Sequence, residues 1–261
     1  MMRFMRSVER RPRPGWLLDE VQSAGRENLD VEHVERYDRK MDSQAAAEVA
    51  CLHSWGLDAS SVVVDLGCGT GQFALAVASE CRRVVAVDVS PVMRERLHDK
   101  LEEAGLGNVE IAAAGFLTYE HLGDRADIVY SRYALHHLPD FWKVMALRQV
   151  RGMLRPGGIF RLWDVVYSFD PAAADQHIES WCAPSGDEVE GAWARWEMEE
   201  HVRDEHSTFS WLLEAMFDRA GFTVEAAEYS DDGFDARYVL RATADTHMDP
   251  ASAPGEDCSC N

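Results

Sequence analysis

Residues 62–73 read Val62-Val63-Val64-Asp65-Leu66-Gly67-Cys68-Gly69-Thr70-Gly71-Gln72-Phe73. Three β-branched residues in succession predict a buried strand, and three glycines at alternate positions predict a turn. Phe73, Leu75, Ala76 and Val77 then recur at helical spacing. A chain that leaves a strand through glycines and enters a helix lets a ligand approach bare backbone, with free N–H groups at the helix start. The nature of that ligand turns on Asp65, at the end of the strand. A carboxylate repels a pyrophosphate and attracts a cation, so the loop suits a nucleoside carrying an ammonium and a sulfonium.

Working outward, Gly69-Thr70-Gly71-Gln72-Phe73-Ala74 also satisfies G-x-G-x-x-A, the fingerprint of a nicotinamide dinucleotide site. The earlier start of the turn at Gly67, and Asp65 itself, weigh against that reading. Asp88 ends the next apolar run, Val84-Val85-Ala86-Val87, and suits ribose hydroxyls in either case. Ser90 as N-cap and Pro91 at the first helical position open a helix over 91–104, closed by Gly105 and Gly107. Strands follow at 109–113 and 126–130, then a helix from Pro139 to Met153, a turn at Arg155-Pro156-Gly157-Gly158, and a strand from Ile159 to Val166. Apolar strands alternating with helices predict a doubly wound α/β fold around a mostly parallel sheet. On the near side, Leu29, Val31, Val34, Tyr37 and Met41 predict helix between Trp16 and Trp55. Residues 168–206 read as an inserted helical lid, whose Trp181, Trp193 and Trp196, among acidic residues, form either an aromatic cover for a flat acceptor or a small core under the insertion. A helix over 209–219 and strands at 222–227 and 236–241, joined by an Asp-Asp-Gly turn, close the domain. The expected organisation is a basic arm at 1–14, one domain over 15–243, and a disordered tail over 244–261.

The chain has 261 residues, with 46 acidic against 26 basic side chains and a net charge of −20. That field disfavours binding to a phosphate backbone, so no nucleic acid is expected as partner. Only the arm, with Arg3, Arg6, Arg10, Arg11 and Arg13 against Glu9, is basic, and it lacks the apolar stretch of a secretory signal. No apolar run approaches the roughly 18–20 residues of a membrane span, which predicts a soluble chain without a membrane partner. Six cysteines without a C-x-x-C pair fit a reducing, cytoplasmic setting and no metal centre; Cys258-Ser259-Cys260 alone leaves a zinc shell incomplete.

Four stretches in order resemble the class I S-adenosylmethionine-dependent methyltransferases: Asp65-Leu66-Gly67-Cys68-Gly69-Thr70-Gly71, Val87-Asp88-Val89-Ser90, Ala126-Asp127-Ile128-Val129-Tyr130-Ser131 with Ala134-Leu135-His136-His137-Leu138, and Leu154-Arg155-Pro156-Gly157-Gly158. The nearest likeness is to the small-molecule branch that includes quinone-ring methyltransferases. The resemblance implies a Rossmann-like seven-stranded sheet, S-adenosylmethionine as cofactor and S-adenosylhomocysteine as product. It places Asp65, Gly67 and Gly69 on the methionine part, Asp88 on the ribose, Val89 and Phe116 against adenine and Tyr37 over the cofactor, with Cys68 and Ser131 as further cofactor-binding candidates. Family members often carry an Asp after the third strand for the adenine amine. Here Ala114-Gly115-Phe116 stands there instead.

The loops after the fourth and fifth strands open on the crevice where such sheets bind ligands. They supply Tyr133, His136 and His137 as candidate catalytic residues, with Arg132, Trp163 and Asp164 nearby; the histidine pair can hold a base or support the next helix. His201 and Glu205 share a helix face, without the H-E-x-x-H zinc spacing. Cys182 is a further candidate thiol. The expected reaction moves a methyl group to an O, N or C nucleophile of a small molecule. A nicotinamide oxidoreductase and a non-catalytic S-adenosylmethionine-binding protein are the competing readings, with RNA methylation disfavoured by charge, and the oligomeric state is open.

Overall fold

The computed structural model describes residues 14–25, 34, 44–183 and 194–244. Strands β1 (Val62–Leu66), β2 (Arg83–Asp88), β3 (Val109–Ala113), β4 (Ala126–Arg132) and β5 (Leu154–Tyr167) run parallel. The hairpin of β7 (Phe222–Tyr229) and β8 (Asp235–Ala242) joins antiparallel, giving the order β3-β2-β1-β4-β5-β8-β7. These are the seven strands expected. A two-residue strand, β6 (Thr208–Phe209), adds an eighth alongside the end of β5.

The order reverses direction at β1. The chain winds outward to β2 and β3, then returns to place β4 on the other side. The ends of β1 and β4 therefore diverge and leave a crevice at their carboxyl edge. Side chains alternate across the sheet and feed two cores. Val64, Leu66, Val87, Val129, Phe160 and Leu162 face one layer, and Val63, Ala86, Ile128, Tyr130 and Ile159 face the other. Each fully buried aliphatic side chain contributes roughly 1.5–3 kcal/mol, so the layers fix the register.

The helices are α1 (Glu20–Ser23), α2 (Ala45–Ser54), α3 (Gln72–Val77), α4 (Pro91–Ala104), α5 (Asp140–Met153), α6 (Ala174–Cys182), α7 (Arg195–Asp204) and α8 (Ser210–Ala220). α4 starts as its sequence predicts, with Ser90 Oγ accepting from Met93 N at 3.2 Å. α2 is held to the sheet by a buried bidentate pair, Arg161 Nε–Glu48 Oε2 2.8 Å and Nη2–Oε1 2.9 Å.

Two expectations change. Arg155 to Gly158 do not precede the fifth strand but lie within it: β5 begins at Leu154, opposite Ala126, and the extra residues bulge before Ile128 pairs Ile159. Gly157, at φ 76°, takes the left-handed conformation the bulge needs. Of the helix expected from Trp16 to Trp55, residues 16–19 and 24–25 are not helical, α1, Val34 and α2 are, and 26–33 and 35–43 lie outside the described residues. No described helix is long and apolar enough to cross a membrane.

Candidate active site

Two adjoining cavities open at the carboxyl edge of the sheet and share Gly67 as a wall. Gly67 stands at φ 71°, and its N–H donates to Val87 O at 2.9 Å, folding the turn over β2. A Cβ on Gly67 would fall 2.3 Å from the Cβ of Ala134, so no other residue fits beneath the loop after β4.

The larger cleft, of about 620 Å3, is lined by Gly67, Gly69, Asp88, Val89, Met93, Phe116, Tyr133, Ala134, His137 and Leu138, with Glu20 and Ala24 across the mouth. Asp88 is fixed through both oxygens, Oδ2 accepting from Gly69 N and Oδ1 from Ser90 N, each at 2.8 Å. Burial pushes its carboxyl above the ordinary range, against the pull of those N–H groups. Five of the predicted cofactor residues (Gly67, Gly69, Asp88, Val89 and Phe116) thus meet in one cleft.

The smaller cavity, of about 460 Å3, holds Asp65, Cys68, Thr70, Gln72, Tyr130 and Arg132. Asp65 is 2% exposed and takes a hydrogen bond from Ala74 N–H, while its Oδ2 is buried without a partner among the described residues. Burial, then the charge of Asp88, pushes Asp65 up to about 8. A buried carboxyl group with an unpartnered oxygen and an arginine thus line the same cavity. The Cys68 thiol is pushed well up by burial and by Asp88, so it acts as wall rather than nucleophile.

Sequence reasoning missed Glu20. The first turn of α1, N-capped by Asp19 through Val21 N at 3.1 Å, delivers this carboxylate across the cleft. There it accepts from Leu117 N at 3.0 Å and from Thr118 Oγ1 at 2.8 Å. It lies so close over Gly115 that a Cβ there would meet Oε1 at 2.4 Å. The position after β3 that lacks an Asp in sequence thus receives a carboxylate from a distant segment. The only local signal was Gly115 itself.

Two candidates are relocated. Ser131 lines neither cavity: it is fully buried, and its Oγ donates to Leu66 O at 2.8 Å, tying β4 to β1. His136 points away from the cleft: its Nδ1 contacts Asp164, its backbone N donates to Asp164 Oδ2 at 3.0 Å, and its Nε2 stands 3.0 Å from Glu205. Burial opposes charge on this ring, but Asp164 and then Glu205 outweigh it and push the imidazole up to about 10, so it cannot serve as a base. Tyr37 lies outside the described residues, as does Trp193.

His137 and Tyr133 do face the cleft. Burial and the neighbouring His136 charge lower His137 to about 3, leaving a neutral imidazole with a buried, unpartnered Nδ1. Tyr133 is the single described non-glycine residue at positive φ, 50°, a strained backbone pinned by its N–H on Trp163 O at 2.9 Å. Its phenol is pushed up by burial and by Asp235. In the insertion, Trp181 stacks on Phe234 at 4.3 Å, while Trp196 is exposed.

Residues 63–158 match the family model described as a methyltransferase domain. Over 215 residues the chain is 27% identical to an uncharacterized methyltransferase of Geobacillus kaustophilus, covering 78% of this chain and 93% of the relative. It is 26% identical over 184 residues to the demethylmenaquinone methyltransferase of Listeria welshimeri, covering 68% and 72%. The fold matches that of magnesium protoporphyrin IX methyltransferase from Synechocystis, solved with bound S-adenosylhomocysteine, at a TM-score of 0.56 and 15% identity over 83% of this chain and 86% of that one.

Proposed function

The chain is a class I S-adenosylmethionine-dependent methyltransferase, and from that premise we propose that it methylates an O, N or C nucleophile of a small molecule held at the Tyr133–His137 end of the cleft. One observation carries the reading. The larger cleft spans about 620 Å3, open in part to solvent and to be shared with the cofactor, and it is walled beside the cofactor residues by Tyr133, Ala134, His137 and Leu138, which suits a compact acceptor. The Listeria relative acts on demethylmenaquinone and the Synechocystis neighbour on a magnesium porphyrin, both small molecules. The net charge of −20 works in the same direction, against RNA.

The residues present fit the cofactor. The orphaned Asp65 Oδ2 takes the ammonium and Arg132, on the same cavity, the carboxylate of its amino-acid end. Asp88 takes the ribose hydroxyls, Val89 and Phe116 flank the adenine, and Glu20 accepts from the adenine amine in place of the missing Asp. When bound, the sulfonium supplies an already activated methyl group. The protein therefore has to hold the acceptor in line and keep water out. His137 does this as a neutral imidazole that orients an acceptor hydroxyl or amine, and Tyr133 fixes the acceptor wall. His136, clamped by Asp164 and Glu205, positions the loop that carries both.

The test is S-adenosylhomocysteine release from purified chain against panels of phenols, quinols, amines and RNA. Turnover on a small phenol, quinol or amine, with His137→Ala and Tyr133→Phe lowering kcat about tenfold or more at unchanged cofactor affinity, is expected. Methylation confined to RNA overturns the reading, and full activity in both variants moves the acceptor site elsewhere.

A further inference from the structure

Behind the cleft, three donors converge between the loop after β4 and the end of α7. His136 Nε2 stands 3.0 Å from Glu205 Oε2, His201 Nδ1 contacts the same oxygen, and the ligating atoms of all three residues lie within 4.8 Å of one another. His201 and Glu205, four residues apart, present one face, and His136 comes from the opposite wall. Two ring nitrogens from separate segments press on the one buried oxygen, Glu205 Oε2. The outer nitrogens are each fixed from behind, His136 Nδ1 by Asp164 and His201 Nε2 by Ser207 Oγ at 2.9 Å. Ligating imidazoles are oriented in this way. Two carboxylates, Asp164 and Glu205, also balance a divalent charge, and an ion at His136 Nε2 takes the place of the proton on that nitrogen.

We propose that His136, His201 and Glu205 bind a borderline divalent transition ion, of the zinc or cobalt kind, which clamps α7 of the insertion to the loop after β4. Two nitrogens and one carboxylate oxygen suit such an ion, whereas calcium and magnesium favour all-oxygen shells. Three protein donors leave a coordination position for water or for a donor atom of a bound molecule. The His136 ring packs 4.3 Å from that of His137, so the ion stands one residue from the acceptor end of the cleft. The site depends on the tertiary meeting of two segments and not on the acceptor's identity.

The test uses the full chain carrying Cys258→Ser and Cys260→Ser, so that the terminal thiols take no metal. Stripped protein is titrated with Co2+. One ion per chain is expected, with visible d–d bands, no sulfur-to-metal charge-transfer band, displacement by Zn2+, and a rise in Tm that a chelator reverses. His201→Ala and Glu205→Gln should each weaken Co2+ binding at least tenfold and abolish the rise in Tm, with circular dichroism reporting that each is folded. Should either unfold, Ser207→Ala, which frees only an outer nitrogen, should weaken binding several-fold. Folded parent that takes up no Co2+, or binding unchanged in the variants, overturns the site and leaves a buried cluster of imidazoles paired with carboxylates.

Discussion

Asp65 shows how one buried group couples binding to pH. Its folded pKa, pushed up to about 8 by burial and Asp88, lies above the ordinary 3.8 of an unfolded aspartate. The folded, cofactor-free chain therefore holds an extra proton between those values, and its stability falls as pH rises from about 4 to about 8, by at most about 1.4 kcal/mol per pH unit. Denaturant melts across that window should show the decline, and Asp65→Asn should flatten it. A cationic ligand at Asp65 expels the proton. Below pH 8, S-adenosylmethionine binding should release protons, detected by calorimetry in buffers of different ionisation heat, and affinity should rise towards pH 8. Asp88 and Glu20 act at the same scale. Asp88→Ala and Glu20→Ala should each weaken cofactor binding about tenfold or more, since a charge-assisted hydrogen bond is worth about 1.5–3 kcal/mol. Unchanged dissociation constants would remove those roles.

Among the elements, the glycine turn and the docking of α2 carry the largest testable energies. Gly67→Ala adds a Cβ 2.3 Å from that of Ala134 at φ 71°, so it should destabilise the fold and narrow the cleft together. Glu48→Ala should be worse for stability alone. It leaves the buried Arg161 guanidinium without its bidentate partner, a cost of about 3–5 kcal/mol, or a fall in Tm of about 10 °C. Replacing both partners, Glu48→Leu with Arg161→Met, should recover much of that loss in a thermal melt. The elements themselves were legible wherever one periodicity ruled. β1, β2, α4 and α5 stand within a residue or two of their predicted spans, because apolar alternation, the Ser90 cap and Gly105 are local signals. The start of β5 was not legible, because Arg155-Pro156-Gly157-Gly158 has the composition of a turn, and only pairing with β4 turns it into a bulge.

For the whole molecule, the charge of −20 predicts no retention on immobilised RNA at about 0.15 M salt, and retention would reopen RNA as acceptor. The sequence by itself determined the sheet, its switch point and the glycine turn with Asp65 and Asp88, because these rest on contacts and propensities within some thirty residues. It also narrowed the catalytic candidates to one loop. Only the tertiary structure decided which of them reach the cleft. His136 turned inward because Asp164, 28 residues on, and Glu205 from the insertion outbid it for the cleft, and Ser131 was spent on Leu66. Glu20 took the vacant place over Gly115 from 97 residues away in sequence. No periodicity encodes such meetings. They arise when buried polar groups, costly to leave unpaired, find their partners across the assembled core.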